Sequence, residues 1–133
     1  LRAQFVDHPM VEHIQQATLV VEDRSHPATA HLPSAWTRRD EWYNFVSSPR
    51  ANTQVLISID EATYDPETSP MGADHPMVWW HWVGKGRVFY SALGHTTDTY
   101  QEPQFRDFIK GAITWGLAAP DSNEGEGANN DEL

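Results

Sequence analysis

Cysteine is absent from the 133 residues, which excludes disulfides, thiolate metal ligands and a cysteine nucleophile and leaves the redox compartment open. Positive charge is scarce: nine Lys and Arg stand against nineteen Asp and Glu, for a formal net charge of −10. A nucleic-acid partner needs a basic stripe to displace counterions from its phosphates, so that class is excluded. No apolar run approaches the ~20 residues of a membrane-crossing helix, so no membrane partner is expected. Phosphate-cradling glycine loops of the Rossmann and Walker types are missing, and so is a Gly-x-Ser-x-Gly elbow. No secretory signal is visible, and the chain opens at Leu1 rather than Met, as a trimmed piece of a longer chain would. The expected location is that of a soluble protein, cytoplasmic or exported with its longer parent.

What the chain has in abundance is aromatic and histidine side chains: six Trp, four Tyr, five Phe and seven His. The stretch Asp74–His95 reads DHPMVWWHWVGKGRVFYSALGH, two apolar β-prone runs around Gly84-Lys85-Gly86. It predicts a β-hairpin over 77–93. A loop centred on Lys85 sets Val83 against Arg87, His81 against Phe89, Trp79 against Ser91 and His75 against His95. With a side-chain period of two, these odd-numbered residues share one face, and two histidines meet at the open end. Trp80 and Trp82 then point to the other face. Lys85 and Arg87 read as solvated charges at the turn.

Elsewhere, Ala17–Asp23 and Gln54–Asp60 read as strands, the second apolar enough to be covered on both sides. His31–Thr37 is turn-like, and Arg39–Phe45 fits an extended segment or one helical turn equally well. Glu61–Ala73, rich in Pro, Gly, Asp, Ser and Thr, is a surface loop. Phe105, Phe108, Ile109, Ala112 and Ile113 recur at helical spacing behind Pro103, which predicts a helix over 104–117 that covers the Trp80 and Trp82 face. Residues 120–133 carry five acidic residues among Gly and Asn and read as a disordered acidic tail, leaving one domain over 1–119.

Three histidines precede proline: His8, His26 and His75. His26, His75 and His95 all lie at strand ends, so they could collect at one sheet edge as ligands for a divalent metal such as zinc. The plainer reading is that His-Pro pairs are turns whose rings bond backbone carbonyls. Asp40-Glu41-Trp42-Tyr43 offers two carboxylates beside aromatic rings, a combination that suits sugars. Side chains adjacent in a strand point to opposite faces, so Asp40 and Glu41 are not a ready acid/base pair, and one of them is expected to bind a backbone amide or Arg24. The expected catalytic residues are His75, His95, Asp40 and Glu41, with Tyr43 and Trp79 as sugar contacts.

The ordered motifs Asp23-Arg24-x-His26-Pro27, Asp40-Glu41-Trp42-Tyr43, Asp74-His75-Pro76-x-x-Trp79, Gly84-x-Gly86-Arg87-Val88-Phe89-Tyr90 and Leu93-Gly94-His95 resemble the trehalose-utilisation (ThuA-like) family over about residues 5–117. That resemblance implies an α/β, flavodoxin-like three-layer sandwich related to class I glutamine amidotransferases, with a mainly parallel sheet and a link to sugar metabolism. This chain matches only the C-terminal portion of such a domain, because the opening βαβ half is absent. Apolar edges of the strands at 54–60 and 77–83 are then expected to be covered by a second copy or by the missing half. Three functions stay open: an enzyme acting on a saccharide or oxidised sugar in a His-lined pocket, a non-catalytic carbohydrate-binding or protein-interaction module, and an incomplete structural fragment.

Overall fold

A computed structural model describes residues 1–118; the acidic tail expected at 120–133 lies outside the described residues. The strands are β1 (Phe5–Asp7), β2 (Gln15–Val21), β3 (Ala35–Asp40), β4 (Asn44–Phe45), β5 (Gln54–Asp60), β6 (Pro76–Val83) and β7 (Gly86–Ser91), and the helix is α1 (Pro103–Leu117). Five strands form one sheet in the order β3-β2-β5-β6-β7, and β1 pairs with β4 in a small ribbon. Every pairing among them is antiparallel.

The α/β class holds, as do the terminal hairpin and helix. The mainly parallel sheet does not: among the described residues only the one-turn 3-10 helices Arg50–Asn52 and Glu61–Thr63 lie between strands, and a parallel pair needs a crossover of about a dozen residues or more, usually α-helical. Helix α1 covers one face of the five-stranded sheet, and on the other Phe45 of the β1–β4 ribbon meets Trp79 at 5.4 Å and Tyr90 at 6.2 Å.

Alternation sets the faces. In β2, Gln15, Ala17, Leu19 and Val21 are buried, and their neighbours in β3 on the same face are Asp40, Arg38 and Trp36. Helix α1 covers this face: Phe108 lies 6.3 Å from Trp36 and 5.7 Å from Phe89, ring centre to ring centre. Trp80 meets Trp115 at 5.1 Å, so the expected packing of the Trp80 face on the helix is observed. The segment Ala35–Asp40, expected as a turn running into an undecided stretch, is a regular strand whose inward positions hold two charges.

The hairpin turn has two residues, Gly84 and Lys85, not three. Val83 pairs with Gly86, His81 with Val88 and Trp79 with Tyr90. Gly84 takes φ +56° while Lys85 does not go positive, the φ signs of a II′ turn with glycine first. One residue less in the loop shifts the register by one and reassigns every face of β7. His75 and His95 are consequently not cross-strand partners. Arg87 is no solvated charge: its Nη1 donates to the Trp115 carbonyl at 2.7 Å and its guanidinium lies 5.0 Å from the Trp115 ring centre. A cation on the last carbonyls of α1 satisfies acceptors that a helix end leaves open and complements its dipole.

Candidate functional site

The cluster with the most chemistry starts at the end of β3, where two consecutive carboxylates diverge. Asp40 is fully buried and points inward. It accepts the backbone N–H groups of Gly94 at 2.8 Å and His95 at 2.9 Å, as well as that of Glu41 at 3.0 Å. Arg38, itself buried, faces it at 3.3 Å and also reaches Thr99 and Glu102. Asp40 thus pins the corner after β7 and acts as a positioning residue; its amide and arginine partners are these, not Arg24. At that corner Gly94 has φ +107°, and its backbone passes so close to Tyr100 and Phe105 that a Cβ would crowd both rings.

Glu41 turns the other way. Its Oε1 meets His8 Nε2 at 3.0 Å and its Oε2 is bonded to His95 Nδ1. The carboxylate is 5% exposed, while the His8 and His95 side chains are 27% and 44% exposed, so a buried anion presents two accessible imidazoles. His13 stands edge-on to His95 at 6.4 Å, and Tyr43 lies 6.3 Å from His8. Burial, followed by the charges of Glu41 and Asp40, raises the Tyr43 phenol above its usual value, so it is a protonated donor at neutral pH.

Hydrogen-bond complementarity assigns the protons. His8 Nδ1 lies 2.9 Å from the Pro9 carbonyl, which only accepts, so Nδ1 carries a hydrogen. Its Nε2 then bonds Glu41 only if a proton sits between them, on one group or the other. A neutral His95 that donates from Nδ1 to the carboxylate keeps its Nε2 lone pair for a substrate. A carboxylate that orients an imidazole through one nitrogen and frees the other is the arrangement used in general acid–base catalysis.

The loop carrying these histidines is held from the opposite side. Glu67 accepts the backbone N–H groups of Met10 at 2.8 Å and Val11 at 2.9 Å, and Asp7 binds Asn44 at 2.8 Å and Ser69 at 2.6 Å. Glu67 does so from φ +57°, a left-handed conformation costly for a glutamate and held by its surroundings.

The other expected site residues lie elsewhere. His75 is fully buried: its Nε2 bonds the Tyr43 carbonyl at 2.8 Å and its Nδ1 bonds Glu61 at 2.9 Å. Glu61 also takes the Met71 and Gly72 N–H groups, so His75 clasps the 61–74 loop and offers no atom to a ligand. Trp79 is fully buried, stacked on Tyr90 at 4.3 Å, with its indole N–H on the Leu1 carbonyl; it cannot serve as a sugar platform. His26 sits among Trp115, Phe89 and Trp80, its Nδ1 accepting from the Ala28 N–H at 3.1 Å. The trio proposed for a metal therefore occupies three separate environments. Among the described residues no group of three His, Cys, Asp or Glu side chains is disposed to hold a metal ion.

Sequence reasoning kept Glu41, Asp40, His95 and Tyr43 together and missed His8 and His13. A signal existed: Asp-His-Pro occurs twice, at 7–9 and 74–76, and the accessible member of the pair is the first.

His26 yields a pH prediction. Burial, aided by the Arg87 charge and opposed by Asp23, pushes its imidazole down from 6.5 to about 4. The folded state holds it neutral, so its contribution to stability is present above 6.5 and is lost as pH falls toward 4. The loss expected between neutral pH and about pH 5 is about 2 kcal/mol, read from urea midpoints across that range. A flat profile there would contradict the buried neutral ring.

A family model described as trehalose utilisation (ThuA) matches residues 1–116. Two solved structures share the fold. A ThuA-like protein from Bacteroides uniformis ATCC 8492 is 23% identical with a TM-score of 0.71, over 90% of this chain and 49% of that one. A ThuA-like protein from Parabacteroides merdae ATCC 43184 is 24% identical with a TM-score of 0.62, over 83% of this chain and 40% of that one. The chain thus spans half or less of these proteins' length. No curated protein matches it.

Proposed function

The chain belongs to the trehalose-utilisation (ThuA) family, and from that premise we propose that His95, held by Glu41 and through it by His8, transfers protons on a saccharide or oxidised sugar. One observation carries the reading: both oxygens of a single buried carboxylate are bonded to imidazoles that remain accessible. His95 serves as general base through Nε2, with Glu41 orienting its ring and stabilising the imidazolium that forms. His8, bonded at both nitrogens to the Pro9 carbonyl and to Glu41, fixes that carboxylate. The protonated Tyr43 phenol is the donor to the oxyanion that a sugar carbonyl or leaving hydroxyl would generate. Tyr43 and His13 flank the reacting position as hydrogen-bond partners for ring hydroxyls. Asp40 fixes the backbone that carries His95, and His75 fixes the carbonyl of Tyr43.

The test is a titration of trehalose and glucose into the wild type and Glu41→Gln, followed by histidine ring signals and by product analysis. Shifts at His8 and His95 with turnover in the wild type, both lost in Glu41→Gln, support the proposal. Binding at these rings without turnover assigns the site to a sugar-binding module instead. Sugar-induced shifts that leave both rings unmoved overturn it.

A further inference from the structure

A second feature lies at the other end of β6. Strand β5 begins at Gln54, opposite Trp80, so β6 runs past its neighbour by three residues, and the short turn Arg50–Asn52 closes the gap from the side. The hollow left between them has a volume of about 290 Å³. We propose that it is a binding subsite for a neutral polyhydroxylated ligand of one sugar ring.

Size comes first: small-molecule sites run from about 300 to 1,000 Å³, and a hollow at the lower bound suits a single ring rather than a chain of them. The lining chemistry is that of polyol recognition. Trp80 and Trp82, edge to face at 6.0 Å, bring half-buried indoles that can pack against C–H groups. Asn52 and Gln54 bring amides for the O–H groups, with the Thr53 hydroxyl, whose hydrogen goes to the Pro49 carbonyl, as an acceptor. The Asn52 and Gln54 side-chain amides bond to no other described protein group, so each keeps its donors and acceptor for a ligand.

Charge decides against an anion. Arg50 lines the hollow but is already spent: it donates to Glu22 at 2.7 and 2.8 Å and to Asp74 at 2.7 Å. With its guanidinium facing two carboxylates, it attracts no phosphate or sugar acid.

A further observation is independent of the lining amides. His81 lines the same hollow and is 6% exposed. Burial, with the charges of Arg2 and the chain terminus, keeps this ring neutral, so it adds no charge that would draw an anion.

The subsite does not depend on the Glu41 reading, since none of Glu41, His8 and His95 lines this hollow. The experiment is a titration of glucose at millimolar concentration into the wild type, followed by side-chain amide and indole N–H signals. Asn52→Ala/Gln54→Ala and Glu41→Gln are titrated alongside. The wild type is expected to show shifts at Asn52, Gln54 and Trp82, with at least tenfold weaker binding in the double variant at unchanged melting temperature. Glu41→Gln is expected to bind at this hollow as the wild type does. No shift at these groups, equal binding by the double variant, or tighter binding of glucose 6-phosphate than of glucose each overturns the proposal.

Discussion

Replacing Asp40 by alanine is expected to remove about 3–5 kcal/mol of unfolding free energy, the cost of leaving a buried charge without its partner. The charge is that of Arg38, which is 2% exposed; besides Asp40 it reaches Thr99, the partly exposed carboxylate of Glu102, and the Trp36 and Phe105 rings, each 4.9 Å from its guanidinium. The same substitution strands the Gly94 and His95 N–H groups, each a further penalty if water cannot replace the carboxylate. Domains of this size are stable by roughly 5–15 kcal/mol, so the variant should sit near the edge of folding. Asp40→Asn should lose less, because it keeps the shape and one acceptor oxygen, yet its amide hydrogens oppose Arg38. Chemical denaturation of the three proteins measures the difference. A loss below about 1 kcal/mol for Asp40→Ala would mean that the corner carrying His95 is held by something else.

Gly111→Ala is the second large effect, and its sign is the informative part. In an open helix this change stabilises by about 1 kcal/mol, since alanine loses less backbone entropy than glycine. Here the added Cβ would lie 2.6 Å from the Pro27 carbonyl carbon and 2.7 Å from the Ala28 Cα, closer still to the Pro27 oxygen. All of these are backbone atoms, so helix α1 must move off the Pro27–Ala28 segment, for an expected cost of about 3 kcal/mol. That movement also loosens His26, one residue earlier, from its contact with Trp115. Gly116 is the internal control: nothing lies within 4 Å of its would-be Cβ, so Gly116→Ala should be neutral or mildly stabilising. Equal effects at the two glycines, read from thermal melts, would contradict the close packing.

Much of this fold is legible in residue pattern. Helix α1 declares itself through Phe105 and Phe108 at helical spacing behind Pro103, and β5 is a short apolar run between turns. What pattern does not resolve is a choice between states of similar local energy. Gly84-Lys85-Gly86 accepts a two- or three-residue loop, and only packing selects the shorter one; the one-residue difference removes the supposed pairing of His75 with His95. Strand β3 was unreadable because its inward positions are Trp36, Arg38 and Asp40, charges that a local reading sends to solvent. They are inside because they satisfy one another and the Gly94–His95 corner. The site was half legible for the same reason. Glu41 and Tyr43 stand in one motif, but the two Asp-His-Pro triplets look alike until tertiary contacts bury His75 against Glu61 and leave His8 at the surface.

The central claim is that Glu41 holds His8 and His95 as one proton-sharing unit, and long-range ¹H–¹⁵N spectra of the imidazole rings test it most directly. In the wild type, His8 should report hydrogen on both nitrogens or a proton shared with Glu41, and His95 should report the Nδ1–H form with a free Nε2. In Glu41→Gln both rings should change together, while His26 and His31 stay where they are. If either ring keeps its wild-type signals when the carboxylate is gone, the two histidines are not coupled through Glu41.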